Sequence, residues 1–436
     1  MRKLLVLLSL LGLLIGIPAF AESGDACNIE PPAEPVTIEM ISWPFAITEF
    51  YAAEMEACSE VDNLTINTNL LDSASLREQV ALALSGGGDS PYDILHGANG
   101  QIADWGAPGW VMPLNDLIEK YWDEYDLGDI PQGYWDSASY NGNIYGVPVV
   151  GNTLHLVYRI DVFEEYGWEV PDTYDDLLNW CDEVGLGNPD WELIYAMDVS
   201  RSRAWELEFF MLLRAMGGDY LDEDNMPAFN SEEGVAAVDL MIETVNRCVG
   251  ADGVAYGLNE IQVAMGNGGL PLTKIWASRA ATMADPERTD LGDVIGYAPA
   301  PSVVEGGPRA GSAWLDFYFI PTNTTNDPDL VFQVIMETAD AASQQAAAAV
   351  GSTTRNSAAE YGGPYLPAAN ETIGNGIGNY AVNPAVSIAI AKLEQYLPLV
   401  WPGDMSAEEA LETAAADYIT EATAQGYIEV WTTPSR

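Results

Sequence analysis

Hydrophobic and polar residues follow two different periods along the first hundred residues. Val36 to Trp43 predicts a buried strand, Leu64 to Leu70 alternates as a second strand, and Tyr92 to Leu95 predicts a third. Between these strands, Phe45 to Val61 and Ser75 to Leu84 repeat apolar residues at helical spacing. Strands that alternate with helices are typical of an α/β fold with a mostly parallel sheet.

Capping residues mark the helices of the later chain. Thr173 has the position of an N-cap, and Asn230 with Glu233 has the spacing of a capping box. Pro328 has the place that proline prefers at the first helical position. The predicted helices are Tyr174 to Val184, Gly234 to Asn246, Asp329 to Ala339 and, continuing the last one, Ala339 to Val350.

The chain start has the pattern of a secretion signal. Arg2 and Lys3 precede an apolar run from Leu4 to Ile17, and Ala19 to Ala21 forms a small-x-small cleavage site. The run is shorter than the roughly 20 residues of a bilayer span. Cys27 follows an acidic segment, which favours a soluble product over a lipoprotein. We therefore predict a cleaved signal peptide, residues 1–21, a leader over 22–35, and a periplasmic or secreted protein.

Length and charge narrow the class of protein. The 436 residues are more than one hydrophobic core usually organises, and no long disordered linker is evident, so we expect two domains joined by several ordered crossings. The 66 acidic against 16 basic residues give a net charge of −50, which excludes nucleic acid and anionic lipid as partners. Because lysine is scarce, we hypothesise a salt-adapted, halophilic surface.

Four cysteines lie after the predicted cleavage site, and none forms a CxxC pair. In an oxidising compartment, an even number favours two disulfides, for which the sequence permits three connectivities. We favour Cys27 with Cys58 and Cys181 with Cys248, because each bridge would then lie inside one domain. Free buried thiols are the alternative.

Several segments together carry a family resemblance. Asn141–Val149, Leu156–Phe163 and Pro171–Leu177 follow one another with the pattern G-x-x-YG-x-P, K/R-x-D-x-F and P-x-T-[WY]-[DE]-[DE]-L. Supporting matches follow in order at Phe229–Val235, at Ala280–Met283 after Trp276, and at Gly311–Trp314, with Arg279 standing where glycine is usual. The chain resembles the extracellular solute-binding protein family 1, the sugar-binding proteins of ABC importers that include maltose-binding protein, over roughly residues 36–430.

The resemblance implies a two-lobed periplasmic-binding-protein fold of type II, with mixed sheets flanked by helices and joined by hinge crossings. It places lobe 1 at residues 36–149 plus 299–341, and lobe 2 at residues 150–298 plus 342–436. The crossings would lie near Val147 to Gly151, near Tyr297 to Pro301, and after the helix Asp329 to Ala339. The implied function is capture of a sugar or related solute in the interlobe cleft, without catalysis or cofactor, by a monomer that delivers it to a membrane permease.

Candidate ligand contacts follow from the chemistry of sugars. A sugar needs aromatic platforms for its C–H faces and directional polar groups for its hydroxyls. In open α/β sheets such groups lie beyond the carboxyl ends of strands, and the family often places a ligand-contacting arginine in a late loop. The predicted set is Trp43, Asn99, Gln101, Asn152, Trp205, Glu206, Trp276, Trp314, Asp316 and Arg355.

Two alternatives stay open. A secreted glycosidase or lyase would also be rich in tryptophan and carboxylates, and the same receptor fold could carry a polyol, a polyamine or iron. Metal-dependent and serine-nucleophile chemistry is disfavoured, because the chain has no HExxH and no GxSxG. We expect no metal site, and we expect both histidines, His96 and His155, to be structural.

Overall fold

The structure is a computed structural model that describes residues 27–283 and 289–428. The predicted signal peptide, residues 1–21, lies outside the described residues. Within them the strands are β1 Val36–Ser42, β2 Leu64–Leu70, β3 Ile94–Ala98, β4 Ser139–Tyr140, β5 Asn143–Ile144, β6 Val147–Asn152, β7 Leu154–Arg159, β8 Tyr195–Met197, β9 Leu272–Trp276, β10 Ile295–Ala298 and β11 Trp314–Phe319.

These strands form two main sheets, one in each lobe. The first has the order β2-β1-β3-β11-β6, in which β1 is parallel to β2 and β3 while β11 runs antiparallel to β3 and β6. The second has the order β10-β7-β9-β8, in which β7 runs antiparallel to β10 and β9, and β8 is parallel to β9. The short strands β4 and β5 pair as a hairpin. The predicted mixed sheets are confirmed.

Helices cover both sheets. The α-helices of the described part are α1 Ala46–Ala57, α2 Ser73–Ser85, α3 Gln101–Gly106, α4 Asn115–Tyr121, α5 Gln132–Ser137, α6 Ile160–Tyr166, α7 Tyr174–Val184, α8 Ser202–Ala215, α9 Glu232–Thr244, α10 Gly250–Gly253, α11 Leu258–Gly266, α12 Ala277–Met283, α13 Pro328–Ala339, α14 Ala341–Ala347, α15 Leu366–Gly374, α16 Pro384–Tyr396 and α17 Ala407–Ala424. Short 3₁₀ turns lie at Cys58–Glu60, Leu127–Asp129, Gly292–Val294, Asn356–Tyr361 and Leu397–Leu399, and a π-helical turn lies at Val245–Val249.

Two helix boundaries differ from the prediction for local reasons. The N-cap of α9 is Ser231, whose hydroxyl accepts a hydrogen bond from the amide of Gly234, and not Asn230. The predicted continuous helix from Ala339 to Val350 is broken at Asp340, whose extended backbone and side chain cap a new helix, α14. The N-cap at Thr173 and the place of Pro328 at the start of its helix are confirmed.

The chain passes from one sheet to the other at short ordered segments. Strand β6 ends at Asn152 in the first sheet, and β7 begins at Leu154 in the second. The second passage joins β10 to β11 through Gly311, where an added Cβ would lie 2.6 Å from the carbonyl oxygen of Leu154 and 2.3 Å from the side chain of Thr372. Such close approach of backbone and side chain explains why glycine stands there.

The exact lobe boundaries stay a prediction, and the packing favours moving two of them. Because β6 pairs with β11 as far as Asn152, we propose the first crossing at Thr153 and not at Val149. Ala347 packs in the core of the first lobe, whereas α15 contacts β7 and β10 of the second. We therefore propose the third crossing within residues 348–365.

Each lobe encloses its own core and one disulfide. Cys27–Cys58 and Cys181–Cys248 are bonded, the two pairs that the sequence favoured, with Cα–Cα distances of 5.2 Å. The first bridge packs in the core of the five-stranded sheet and the second in the core beneath α7 and α9. Within the described ranges, every helix is too short or too polar to cross a bilayer.

Candidate functional site

The two sheets turn their functional edges toward each other. In the first sheet, the carboxyl ends of β1, β3 and β6 lie beside the beginning of β11, because Trp314 pairs with Asn152 and Asp316 with Ala98. In the second sheet, the carboxyl end of β9 lies beside the beginning of β7, where Trp276 pairs with Leu154. Since Asn152 leads directly into Leu154, these two edges face one another, as expected for a ligand cleft in an α/β fold.

Three half-buried tryptophans lie at the facing edges. Trp276 and Trp314 come from opposite sheets, and their rings meet edge to face with centroids 5.7 Å apart. Trp43 directly follows β1 and stacks on His96 with ring centroids 3.9 Å apart. Partial exposure distinguishes these indoles from those of the cores, and it leaves aromatic surface for a solute.

Amide side chains stand next to the indoles and link the lobes. Asn152, at the end of β6, donates to Ser278 Oγ of α12 at 3.1 Å and accepts from the Ser278 amide. Asn99 donates to Asn379 Oδ1 at 2.5 Å, in the loop between α15 and α16, and accepts from the amide of Leu315. Gln101 accepts from the amide of Ala98. These amides hold strand ends together at the cleft.

A buried ionic group lies behind Trp314 in the second lobe. Glu206 is fully buried, pairs with Arg203 at 2.8 Å, and accepts hydrogen bonds from the hydroxyls of Tyr220 and Tyr380. Burial raises the pKa of Glu206, and Arg203 opposes that rise. The Arg203 guanidinium lies 5.6 Å from the ring centroid of Trp314 and 5.4 Å from that of Tyr380. Glu206 thus holds Arg203 beside the rings of Trp314 and Tyr380.

Asp316 is also covered. It is 2% exposed, and its carboxylate accepts from Trp314 Nε1 at 3.1 Å and lies 3.6 Å from His96 Nε2. Ser42 completes a serine–histidine–aspartate line, with Oγ 2.5 Å from His96 Nδ1. Because Ser42 is fully buried, the line has no access to a substrate and does not support nucleophilic catalysis.

Two residues of the predicted set lie away from the facing edges. Trp205 is 4% exposed in the core of the second lobe. Arg355 is 3% exposed, and its guanidinium donates to the backbone oxygens of Ala339, Tyr125 and Asp126 at 2.6 to 2.8 Å. Every nitrogen of that guanidinium is therefore engaged inside the first lobe, and the Trp205 indole is buried. For these reasons we do not propose Arg355 or Trp205 as ligand contacts.

Four residues at the cleft were not selected from the sequence: Arg203, Ser278, Asn379 and Tyr380. Arg203 lies two residues before the predicted Trp205, on a helical face that periodicity alone did not orient. Asn379 and Tyr380 lie in a loop rich in glycine and asparagine, a composition that binding loops often share. That composition is the sequence signal from which Asn379 and Tyr380 could have been predicted as site residues.

Other potential sites are weaker. Among the described residues, Cys27, Cys58 and Glu337 come close enough to hold a metal, but both cysteines are committed to a disulfide. A separate open cavity of about 480 Å³ lies between Asp172, Arg309 and Glu371. There the Arg309 guanidinium already pairs with both carboxylates, at 2.6 and 2.9 Å.

Part of this chain is similar in sequence to a binding protein with a named ligand. The mannitol-binding protein of Pseudomonas aeruginosa is 27% identical over 254 residues, which cover 56% of this chain and 55% of that protein. The chain thus spans about half the length of this curated relative.

Solved structures share the fold at lower identity. An ABC transporter solute-binding protein from Agrobacterium radiobacter K84, in complex with ribitol, superposes with a TM-score of 0.76 at 19% identity, covering 89% of this chain and 100% of that one. A maltose-bound protein of T. maritima gives 0.74 at 19% identity, covering 88% and 99%. These likenesses show the type II periplasmic-binding-protein fold.

The family model for bacterial extracellular solute-binding proteins matches residues 46–344. That range includes every strand of the two main sheets except β1, together with the first two crossings between them. It agrees with the two disulfides and with a periplasmic or secreted location. The chain belongs to the family of bacterial extracellular solute-binding proteins.

Proposed function

We propose that this protein is the substrate-binding component of an ABC importer, which captures a sugar or related polyhydroxylated solute between its lobes and delivers it to a membrane permease. The observation that supports this proposal most strongly is the set of three half-buried indoles at the facing edges of the two sheets, those of Trp43, Trp276 and Trp314. The cleft is built from one chain, so we propose a monomer.

The chemistry of these edges suits a neutral solute with many hydroxyls. Indole faces cover C–H groups, and neighbouring amides such as those of Asn99 and Asn152 can both donate and accept hydrogen bonds. The mannitol-binding, ribitol-bound and maltose-bound proteins that this chain resembles support a sugar or a sugar alcohol.

A cationic cargo such as a polyamine fits less well. Its site would need several free carboxylates among the aromatics. Instead, Glu206 is neutralised by Arg203, and Asp316 is held by Trp314. The guanidinium of Arg203 lies beside the Trp314 ring and would repel an ammonium group.

An enzymatic role is also disfavoured, and we propose that the protein has none. Glycoside hydrolysis needs two carboxyl groups that flank a scissile bond in contact with substrate. The two carboxylates predicted for this site, Glu206 and Asp316, are 0% and 2% exposed and lie behind the aromatic surface. Membership of a binding-protein family supports the same proposal.

Capture would involve closure of the lobes. Asp104 of α3 accepts from Ser387 Oγ of α16 at 2.8 Å, and Asn152 bonds Ser278, so the two lobes already contact each other through polar groups. A solute stabilises this closed arrangement only by its greater affinity for it than for an open one. A permease would then recognise the closed shape.

A ligand screen tests the proposal. Thermal-shift and calorimetric titration in molar salt would compare sugars, sugar alcohols and polyamines. We expect a sugar or sugar alcohol to bind with a Kd on the order of 1 μM. We expect Trp314→Ala to abolish that binding, because it removes an indole at the cleft.

Trp401→Ala is the matched control. Trp401 is also half-buried and donates its indole N–H, to Asn246, but it lies on the helical side of the second lobe. Its replacement should leave binding unchanged. A preference for polyamines, or sustained turnover of a glycoside, would contradict the proposal.

A further inference from the structure

The indoles of Trp43 and Trp314, at the cleft edge of the first lobe, contact one buried pair of side chains. His96 on β3 and Asp316 on β11 lie side by side, with His96 Nε2 and Asp316 Oδ2 3.6 Å apart. Trp43 stacks on the imidazole, with ring planes inclined by 20°, and Trp314 donates its indole N–H to the carboxylate. One pair of side chains therefore contacts both indoles.

The buried pair, His96 and Asp316, is less exposed to solvent than the two indoles that it contacts. His96 is fully buried and Asp316 is 2% exposed, whereas Trp43 and Trp314 are half-buried. A solute at the cleft would therefore touch the indoles and not the pair. Any effect of the pair on binding must pass through the orientation of the two rings.

The polar groups on either side of His96, Asp316 and Ser42, favour one tautomer of the imidazole. The Asp316 carboxylate accepts hydrogen bonds, so it is best faced by an N–H at His96 Nε2. The other nitrogen, Nδ1, then accepts from the hydroxyl of Ser42, 2.5 Å away. His96 Nε2 makes no hydrogen bond among the described residues, and the Asp316 carboxylate, 3.6 Å away, lies within ion-pair distance of it.

We propose that His96 and Asp316 are positioning residues that hold Trp43 and Trp314 at fixed orientations for the solute. The proposal rests on the proposed function, because it assigns a role in the same cleft. A ring held in its binding orientation loses less conformational freedom when the solute arrives. Asp316, predicted as a ligand contact, thus acts on the solute through Trp314.

Ligand-free spectra test the positioning directly. The 13 tryptophans would be labelled as 5-fluorotryptophan, and the ¹⁹F signals of Trp43, Trp314 and Trp401 assigned by Trp→Phe substitution. His96→Gln keeps polar groups but removes the stacking ring, and Asp316→Asn keeps the shape but removes the charge. We expect His96→Gln to shift the Trp43 signal and Asp316→Asn to shift the Trp314 signal, with Trp401 unchanged.

Tyr318→Phe is the control for disturbance of the same core. The Tyr318 ring lies 5.3 Å from His96, and its buried hydroxyl has no hydrogen-bond partner among the described residues. Its loss should leave both tryptophan signals in place. The positioning role is overturned when the Trp43 and Trp314 signals stay where they are in His96→Gln and Asp316→Asn.

Affinity then tests whether positioning matters for capture. We expect His96→Gln to weaken solute binding about tenfold in the wild-type background and less than about twofold in Trp43→Ala, because coupled residues are non-additive. In Trp276→Ala the loss should stay near tenfold. Equal losses in both backgrounds would contradict a role through Trp43. Should the wild type bind no solute, the proposed function fails, and the fluorine spectra still decide the positioning.

Discussion

His155 on β7 shows how a single enclosed side chain ties stability to pH. It is fully buried, its Nδ1 lies 2.9 Å from the carbonyl oxygen of Leu156, and burial lowers its pKa from 6.5 to about 4. The unfolded chain therefore takes up this proton at a higher pH than the folded protein does. The contribution of the neutral, buried His155 to folding stability is therefore complete above about pH 6.5 and is lost as the pH falls through about 4.

We predict that His155→Asn reduces the acid sensitivity of folding. Asparagine retains a side-chain N–H but does not titrate. Between pH 7 and pH 4 the free energy of unfolding of the wild type should fall by roughly 3 kcal/mol more than that of the variant. Urea unfolding at several pH values measures the difference. Parallel pH profiles for the two proteins would contradict the assignment.

Individual side chains were predictable only where strand ends decide their position. Trp43 and Asn99 directly follow the strands β1 and β3, and the structure places both at the facing edges. No predicted strand ends next to Trp205 or Arg355. Their burial depends on helix packing and on backbone oxygens from distant segments, such as Tyr125, that no local pattern reveals.

Among the elements, α7 illustrates how capping residues determine a helix start. The hydroxyl of Thr173 accepts from the amide of Asp176 at 3.1 Å, and the Asp176 carboxylate accepts from the amide of Thr173 at 3.0 Å. This reciprocal pair satisfies two backbone groups that would otherwise lack partners. The predicted range, Tyr174 to Val184, is confirmed.

We predict that Thr173→Ala lowers the free energy of unfolding by about 1 kcal/mol, the usual value of an N-cap. Urea unfolding provides the measurement. Thr413→Ala is the control, because the Thr413 hydroxyl only donates to the carbonyl of Glu409 within α17. An equal loss of unfolding free energy in Thr173→Ala and Thr413→Ala would show that the N-cap stabilises the protein no more than a hydroxyl inside a helix does.

Elements with weak local signals were predicted less well. The third strand extends over Ile94–Ala98 and not Tyr92 to Leu95, because its pairing with β11 continues to Ala98. The π-helical turn Val245–Val249, which lies around the disulfide-bonded Cys248, has no pattern of its own in the sequence. Long-range pairing decides both features.

At the scale of the whole molecule, Asp104 and Ser387 join the two lobes. The Ser387 hydroxyl is 2.8 Å from both oxygens of Asp104. Burial raises the pKa of Asp104 to about 6, although Ser387 and the positive Arg203 oppose the rise. Tyr427 faces the same carboxylate. Opening of the lobes would return Asp104 to water and to its ordinary value of 3.8.

We predict that closure, and hence solute affinity, weakens as the pH rises through about 6. The sign follows because the closed state holds the Asp104 proton more tightly than the open state, so protonation favours closure. Asp104→Asn should remove this dependence and bind more tightly at pH 7. Calorimetric titration from pH 4.5 to pH 7.5 would compare the two proteins. An identical pH profile would contradict the role of Asp104.

The net charge of −50 makes a second prediction for the whole molecule. Repulsion among surface carboxylates destabilises the compact state and is screened by salt. We expect the unfolding temperature to rise markedly between dilute buffer and molar sodium chloride, and to rise less in sucrose of equal osmolality. Equal stability in dilute buffer and molar salt would exclude salt adaptation.

The most direct test of the account is a crystal structure of the protein with the solute that the screen identifies. We predict electron density between the facing sheet edges, with the carbon skeleton packed on Trp43, Trp276 and Trp314 and the hydroxyls bonded to the neighbouring amides. Density elsewhere, for example in the cavity beside Arg309, with no solute between the sheets would contradict it.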